Sequence, residues 1–197
     1  MKRKVGRLVV ITGCMFSGKT EELLRRAKRD LIAKKKIVLL KPKLDTRYEK
    51  NEIVTHYRTL RLPCYRINHE ITKFSSLSKE LQQKILLAEK VYIDEGQFFS
   101  QSFLKFVQEL IEIEKDVIVV GLDLDFRAEP FGSMPILLAL ADEVIKLHAV
   151  CVVCGKEATR TQRLINGKPA KKDSPLILIG GEETYEARCS QCYEPPC

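Results

Sequence analysis

No apolar run in the sequence approaches the ~20 residues that a membrane-crossing helix needs, and no internal repeat or low-complexity tract is present. A disordered chain, a collagen and a small disulfide-stapled scaffold are also excluded, because 45% of the 197 residues are hydrophobic and 30% charged, an ordinary globular composition. No export signal is expected either. Met1-Lys2-Arg3-Lys4 followed by the apolar residues 8–16 looks briefly like the start of one, but that run contains Gly13, ends at Ser17-Gly18-Lys19 and has no small-residue cleavage site behind it. The run is read instead as a buried strand. The expected compartment is the reducing cytoplasm, where the seven cysteines are metal ligands or bystanders rather than disulfides.

What is present is an uneven charge. Residues 1–50 carry 16 Lys/Arg against 5 Asp/Glu, whereas the rest of the chain carries 18 against 21. A positive amino-terminal third suits a phosphate-bearing ligand or nucleic acid. Lys2-Arg3-Lys4 and Lys34-Lys35-Lys36, placed where an end and a loop belong, are read as solvated clusters.

Apolar runs alternate with amphipathic stretches. Residues 7–12 predict a strand, 21–33 a helix through Leu23, Leu24, Ala27 and Leu31, and 37–40 a second strand ended by Lys41-Pro42. Residues 43–59 are polar and read as a mobile loop. A short run at 64–67, a helix near 77–88, a strand at 91–94, a helix face at Phe103, Phe106, Val107, Leu110 and Ile113, and a strand at 117–122 follow. Strands alternating with helices predict an α/β fold with a mainly parallel sheet and ligands at the strands' carboxyl ends. The pattern breaks after His148, so residues 1–149 are expected to form one domain and 150–197 a small appended one.

Gly13-Cys14-Met15-Phe16-Ser17-Gly18-Lys19-Thr20 fits the G-x-x-x-x-G-K-[ST] phosphate-loop pattern at every fixed position. Glycines let backbone amides turn inward as an anion nest, Lys19 reaches the terminal phosphates, and the Thr20 hydroxyl can bind Mg²⁺. The match lies between a buried strand and an amphipathic helix, the context such a site requires. Val91-Tyr92-Ile93-Asp94-Glu95 supplies the metal-side carboxylate, with Asp94 at the sheet edge and Glu95 directed towards the phosphate acceptor. Asp123 and Asp125 are weaker rivals for Asp94's task.

Cys151-Val152-Val153-Cys154 and Cys189-Ser190-Gln191-Cys192 are two C-x-x-C knuckles. Two residues between thiolates let one turn place both sulfurs on a tetrahedral ion, and a second knuckle closes the shell, giving a structural Zn²⁺ site. A redox pair is the other reading of such spacing. His148 and Cys197 are read as bystanders, and Cys14 and Cys64 as small buried hydrophobes. The long segment between the knuckles would be clamped by the metal and could serve as a substrate lid.

Together with Asp45-Thr46-Arg47-Tyr48, Asp94-Glu95-Gly96-Gln97-Phe98, the Leu122-Asp123, Phe126-Arg127 and Pro130-Phe131-Gly132 segments, and Gly180-Gly181 before Tyr185, these motifs resemble the cytosolic-type (type II) thymidine kinases over about residues 7–193. The resemblance implies a RecA-like phosphate-loop NTPase sheet and a small ribbon-like zinc domain whose lasso covers the nucleoside. It implies that Glu95 is the catalytic base, that Asp45 and Arg47 join Asp94 and Gln97 at the metal and phosphates, and that Met15, Phe98, Leu122, Phe126, Thr161 and Tyr185 form the nucleoside pocket. Cys14 stands where many members have proline.

The implied reaction is ATP-dependent phosphorylation of thymidine at its 5′-hydroxyl, with Mg²⁺ as cofactor. Deoxyuridine is a second expected substrate, dTTP an expected feedback inhibitor and a homotetramer the expected assembly. Leu176-Ile177-Leu178-Ile179, in the lasso between Arg163 and Tyr185, has no polar side chain, so the thymine edge would be read there by main-chain groups. The 5-methyl group would sit against Met15 and Thr161, and enlarging Thr161 is expected to erode the preference for thymidine. Two alternatives are a nucleoside-monophosphate kinase with a zinc lid, against which the carboxyl-terminal place of the knuckles speaks, and a nucleic-acid-binding zinc ATPase. The latter needs basic residues interleaved with aromatics in the zinc module, where Lys168, Lys171 and Lys172 are accompanied only by Tyr185 and Tyr193.

Overall fold

The computed structural model describes residues 5–44, 51–55, 59–176 and 183–196. Among the sequence-derived candidates, Asp45, Arg47, Ile177, Leu178 and Ile179 lie outside the described residues, as do His56, Gly180, Gly181 and Cys197.

The chain begins with β1 (Leu8–Thr12), α1 (Lys19–Ile32), β2 (Ile37–Pro42), β3 (Glu52–Val54), β4 (Arg61–Pro63) and β5 (Tyr65–Ile67). It continues through α2 (Lys79–Leu87), β6 (Lys90–Ile93), α3 (Phe103–Glu112), β7 (Asp116–Gly121), α4 (Met134–Leu140) and β8 (Glu143–Lys146). The remainder is short strands: β9 (Ala149–Val150), β10 (Glu157–Ala158), β11 (Arg160–Ile165), β12 (Lys168–Pro169) and β13 (Glu183–Arg188).

Six of these strands form a parallel sheet in the order β5, β2, β6, β7, β1, β8. Its central strands read as unbroken apolar runs because both faces are covered. Ile11, Leu39, Tyr92, Ile118 and Val120 pack against Leu23, Leu24 and Ala27 of α1. The alternate residues Val10, Leu40, Val91, Ile93 and Val119 face Leu81 and Ile85 of α2, Phe103, Phe106 and Leu110 of α3, and Leu137 of α4. A parallel sheet sealed on both faces has room for polar chemistry at its strand ends, and the loop after β1 opens at the carboxyl end, between β7 and β8.

Beyond this sheet, β9 pairs antiparallel with β10, and β11 lies between β12 and β13. Among the described residues no helix is long and apolar enough to cross a membrane.

Four details depart from the sequence reading. Strand β2 runs on through Lys41 and Pro42, with Pro42 opposite Ile67 of the edge strand β5. Lys41 is buried there, its ammonium donating to the Glu52 carbonyl at 2.8 Å. Part of the polar stretch read as a loop is the strand β3, held antiparallel to β4 and carrying the buried Ile53. Leu31 of α1 is 44% exposed, and the buried position beside it is Asp30. Helix α4 and strand β8 carry no separate signal in the reading above, and β8 completes the sheet on the far side of β1.

Asp30 is tolerated because it is fully engaged. The Tyr92 hydroxyl donates to it at 2.5 Å and the Lys90 ammonium lies 3.0 Å away. Burial opposes its charge, yet the hydrogen bonds from Tyr92 and Lys90 prevail and hold the carboxyl below the ordinary aspartate range. Such a group binds fewer protons folded than unfolded, so its stabilisation is full above the ordinary carboxylate pKa and is lost as the pH falls through the folded one. Asp30→Asn is therefore expected to cost about 1–3 kcal/mol at neutral pH, with the gap to wild type narrowing as the pH drops below about 4. Thermal unfolding of both proteins across that range checks this, and a gap that does not shrink in acid would remove the charge from the explanation.

Candidate functional site

The phosphate loop is built by the end of β1. Thr12 anchors it by donating its hydroxyl to the Gly121 carbonyl at 2.9 Å. Gly13, at φ +145°, passes so close to β8's continuation that a Cβ there would stand 2.2 Å from the Leu147 carbonyl oxygen. Gly18 then takes the left-handed conformation, φ +80°, as the first cap of α1. No side chain caps that helix end, so its leading amides and the positive end of its dipole face the loop's interior. Ser17 and Lys19 both donate to the Cys14 carbonyl, at 2.8 and 2.6 Å, which closes the loop on itself. Burial draws the Lys19 ammonium below the ordinary lysine range, against the attraction of Glu95, Cys14, Asp94 and Asp123.

The acids lie where the apolar run of β6 ends. Asp94 is 6% exposed, receives the Glu95 N–H at 2.9 Å and holds its own N–H on the Leu40 carbonyl. Glu95 is half-buried and sits at φ +55°, a backbone region that non-glycine residues rarely occupy and that tends to mark functional turns. Gln97 links it to the neighbouring strand: its side-chain amide donates to the Glu95 carboxylate and its Oε1 accepts the Leu122 N–H at 3.0 Å. The rival acids have other tasks. Asp123 pairs with Lys146 at 2.8 Å, and Asp125 accepts the N–H groups of Arg127 and Glu129, fixing the turn after β7.

The four cysteines come together as their spacing predicts. The Sγ atoms of Cys151, Cys154, Cys189 and Cys192 all lie within 4.8 Å of one another, with 3.7 Å between Cys154 and Cys189. A regular tetrahedron with Zn–S bonds of about 2.3 Å has sulfurs about 3.8 Å apart, so the cluster fits Zn²⁺. Burial resists ionisation of Cys151, but hydrogen bonds from the backbone around Cys189, Cys154 and Val153 bring its thiol down to about 6. Hydrogen bonds to the sulfurs of Cys189 and Cys154 push Cys192 up to about 12. Four crowded thiols cannot all release their protons unaided, and a bound dication supplies the missing charge. His148 points elsewhere, its ring nitrogen 3.1 Å from Glu157.

The cysteine module and the phosphate loop touch directly. Cys14 is buried in one apolar cluster with Ala149, Cys151, Ala158, Ala187 and Cys189, and its thiol donates to the Ala158 carbonyl at 3.3 Å. The Met15 N–H donates to the Thr161 hydroxyl at 3.1 Å. Thr161, a pocket candidate by resemblance, is therefore an acceptor for the loop.

Two of the other pocket candidates, Phe126 and Tyr185, flank one arginine. Arg163 is fully buried in β11, its guanidinium 4.9 Å from the Phe126 ring and 6.0 Å from that of Tyr185, its register partner on β13. It donates to the Pro175 carbonyl, while Arg127 donates to the carbonyls of Lys172 and Ser174 at 2.8 Å each. Two arginines thus hold the limb of chain that leads to Leu176. Phe98 stands edge-on to Phe131, with ring centroids 6.0 Å apart. Sequence reading assigned no role to Arg127 or Arg163, and it set Gln97 at the metal and phosphates, whereas the structure places its side-chain amide between Glu95 and Leu122. The run Thr161-Gln162-Arg163 is polar, yet all three residues are buried.

Comparison with known proteins agrees with this geometry. The family model described as thymidine kinase matches residues 6–193. A protein named thymidine kinase from Coprothermobacter proteolyticus is 54% identical over 195 residues, covering 97% of this chain and 92% of its own. Another of that name from Mesoplasma florum is 45% identical over 195 residues, covering 98% and 94%. With the match spanning nearly all of both partners, and a phosphate loop, an acidic strand end and a four-cysteine cluster within it, this chain belongs to the thymidine kinase family.

Proposed function

We propose that the chain transfers the γ-phosphoryl group of ATP to the 5′-hydroxyl of thymidine. The observation that carries this reading is the convergence, at one edge of the sheet, of the phosphate loop with Asp94 and Glu95, in a chain of the thymidine kinase family. Neither alternative, a monophosphate kinase or a nucleic-acid ATPase, is favoured by that family.

In this reading the loop amides and Lys19 hold the β- and γ-phosphates, with Lys19 leaving the Cys14 carbonyl for them. Thr20 and Asp94 would hold Mg²⁺, which neutralises phosphate charge when bound. Glu95 accepts the proton of the 5′-hydroxyl, and Arg47 adds positive charge as the phosphoryl group moves. Positioning and electrostatics supply most of the acceleration in phosphoryl transfer, so an ordinary carboxylate suffices as base. Met15, Thr161, Leu122, Phe98, Phe126 and Tyr185 enclose the nucleoside, and the lasso leading through Leu176 excludes the water that would otherwise hydrolyse ATP. The chain divides near Val150 into nucleotide-binding and zinc-binding parts, and Cys151, Cys154, Cys189 and Cys192 hold a structural Zn²⁺. Deoxyuridine as a poorer substrate, dTTP as a feedback inhibitor, and a homotetramer in the cytoplasm complete the reading on the strength of the resemblance.

Glu95→Gln keeps the shape of the base and removes its proton affinity. It is expected to lower kcat by about 10²–10⁴-fold while ATP still binds, measured by steady-state kinetics beside nucleotide titration; a kcat within threefold of wild type would give the base another identity.

Elemental analysis is expected to find one zinc per chain and to lose it in Cys154→Ser and Cys189→Ser. Because Ala158 and Thr161 hold the phosphate loop, the same variants should also bind ATP more weakly. Full zinc occupancy in both would refute the ligand set.

Thr161→Val preserves the shape of the side chain but strips the Met15 N–H of its acceptor. It is expected to raise the KM for ATP by about tenfold, and to lower turnover of thymidine and deoxyuridine together. An unchanged KM for ATP with altered nucleoside preference alone would reduce Thr161 to a wall of the pocket.

A further inference from the structure

We infer that Gln97 is the positioning residue for Glu95, acting on phosphoryl transfer through the carboxylate rather than through contact with either substrate. The inference rests on the reading of Glu95 as the base.

A base on a turn needs something to aim it. Glu95 occupies a left-handed backbone conformation, φ +55°, outside the regular strand, so neither sheet nor helix fixes the direction of its side chain. Gln97 does. Its amide nitrogen donates to Glu95 Oε2, and its amide oxygen accepts the Leu122 N–H at 3.0 Å. The second bond settles the first. A flipped amide would set its NH₂ against the Leu122 N–H and its oxygen against a carboxylate, two repulsive contacts in place of two attractive ones.

The glutamine is itself immobilised. It is 3% exposed and lies in a single turn of 3₁₀ helix, Gly96–Phe98, closed by the Phe98 N–H on the Glu95 carbonyl at 3.0 Å. Backbone from two directions crowds it. A Cβ on Gly121 would stand 2.7 Å from Gln97 Oε1, and one on Gly132 would stand 2.3 Å from the Gln97 carbonyl oxygen. The Ser133 hydroxyl meanwhile donates to the Gly96 carbonyl at 3.2 Å. Gln97 therefore carries the rigidity of the buried strand β7 to a carboxylate that has no regular backbone of its own. Its amide nitrogen and oxygen each engage a protein group, Glu95 and the Leu122 N–H, which sets its role apart from the phosphate loop's binding of nucleotide.

The test is a double-mutant cycle. Gln97→Met and Gln97→Leu both remove the donor without adding a charge beside Glu95, so a Gln97→Met protein that folds poorly leaves a second variant to measure. Each is expected to lower kcat by about 10–100-fold, the usual penalty for a misplaced reacting group, with the KM for thymidine and the affinity for ATP within about threefold of wild type. Placed in the Glu95→Gln background, the same changes are expected to cost no further activity, because the group they aim is already gone.

An equal loss in both backgrounds would overturn the positioning role while leaving Glu95 as the base. A rise in the KM for ATP with kcat unchanged would overturn it by making Gln97 a nucleotide contact. A Glu95→Gln enzyme as fast as wild type would overturn both assignments, and only that result touches the base.

Discussion

Closure of both faces of the parallel sheet is the constraint from which the rest of the molecule follows. With α1 sealing one side and α2, α3 and α4 the other, the strands β6, β7 and β1 run through an interior without water. A polar group there costs several kcal/mol unless it is paired. Charge is consequently exported to the strand ends or satisfied in place, as with Asp30 between Tyr92 and Lys90. At the carboxyl ends, the chain leaves β1 as the phosphate loop, leaves β6 as Asp94-Glu95 and leaves β7 through Leu122 and Asp123. The chemistry is assembled from successive strand ends because there the backbone can turn and its amides are free to face a ligand.

The second organising contact is the seam between that loop and the cysteine module. Cys14 belongs to the same small apolar cluster as Cys151 and Cys189, and Thr161 accepts a hydrogen bond from the loop's Met15. The four cysteines enclose too little apolar surface to hold a fold by burial alone, so an ion that ties the two knuckles also holds one wall of the phosphate site. This gives the cysteine in the loop a physical sense. Its thiol is a small apolar surface with a donor, and the structure uses both.

Buried arginines take a different part. Arg163 faces two aromatic rings and the Pro175 carbonyl, and Arg127 holds carbonyls of the same limb. Guanidinium is suited to this, being planar, weakly hydrated and able to donate along several directions at once. The limb of chain that leads to Leu176 is thereby fastened next to Phe126, whose carbonyl is also held by the Tyr193 hydroxyl at 2.7 Å.

By itself the sequence determined the features that depend on local spacing. The alternation of buried strands and helices, the phosphate loop between β1 and α1, the acids at the end of β6 and the two cysteine knuckles are all patterns within a dozen residues, set by backbone geometry that the chain carries wherever it goes. The continuation of β2 through Lys41 and Pro42 and the closing strand β8 were not legible, because each exists through a partner distant in sequence, and the short strand at 52–54 was not, because its three residues offer a single buried side chain, Ile53. The same holds for the site. Spacing marked Glu95 but not what aims it, and marked Thr161 only by resemblance. Tertiary structure alone decided that Gln97 would bridge Glu95 to Leu122, that Thr161 would answer Met15 across 146 residues, and that Arg163 would be buried in a polar run of its strand. A hydrogen bond or a stacked ring is favourable only when both groups are desolvated together, and which groups meet is fixed by how the elements pack, which no local pattern of residues records.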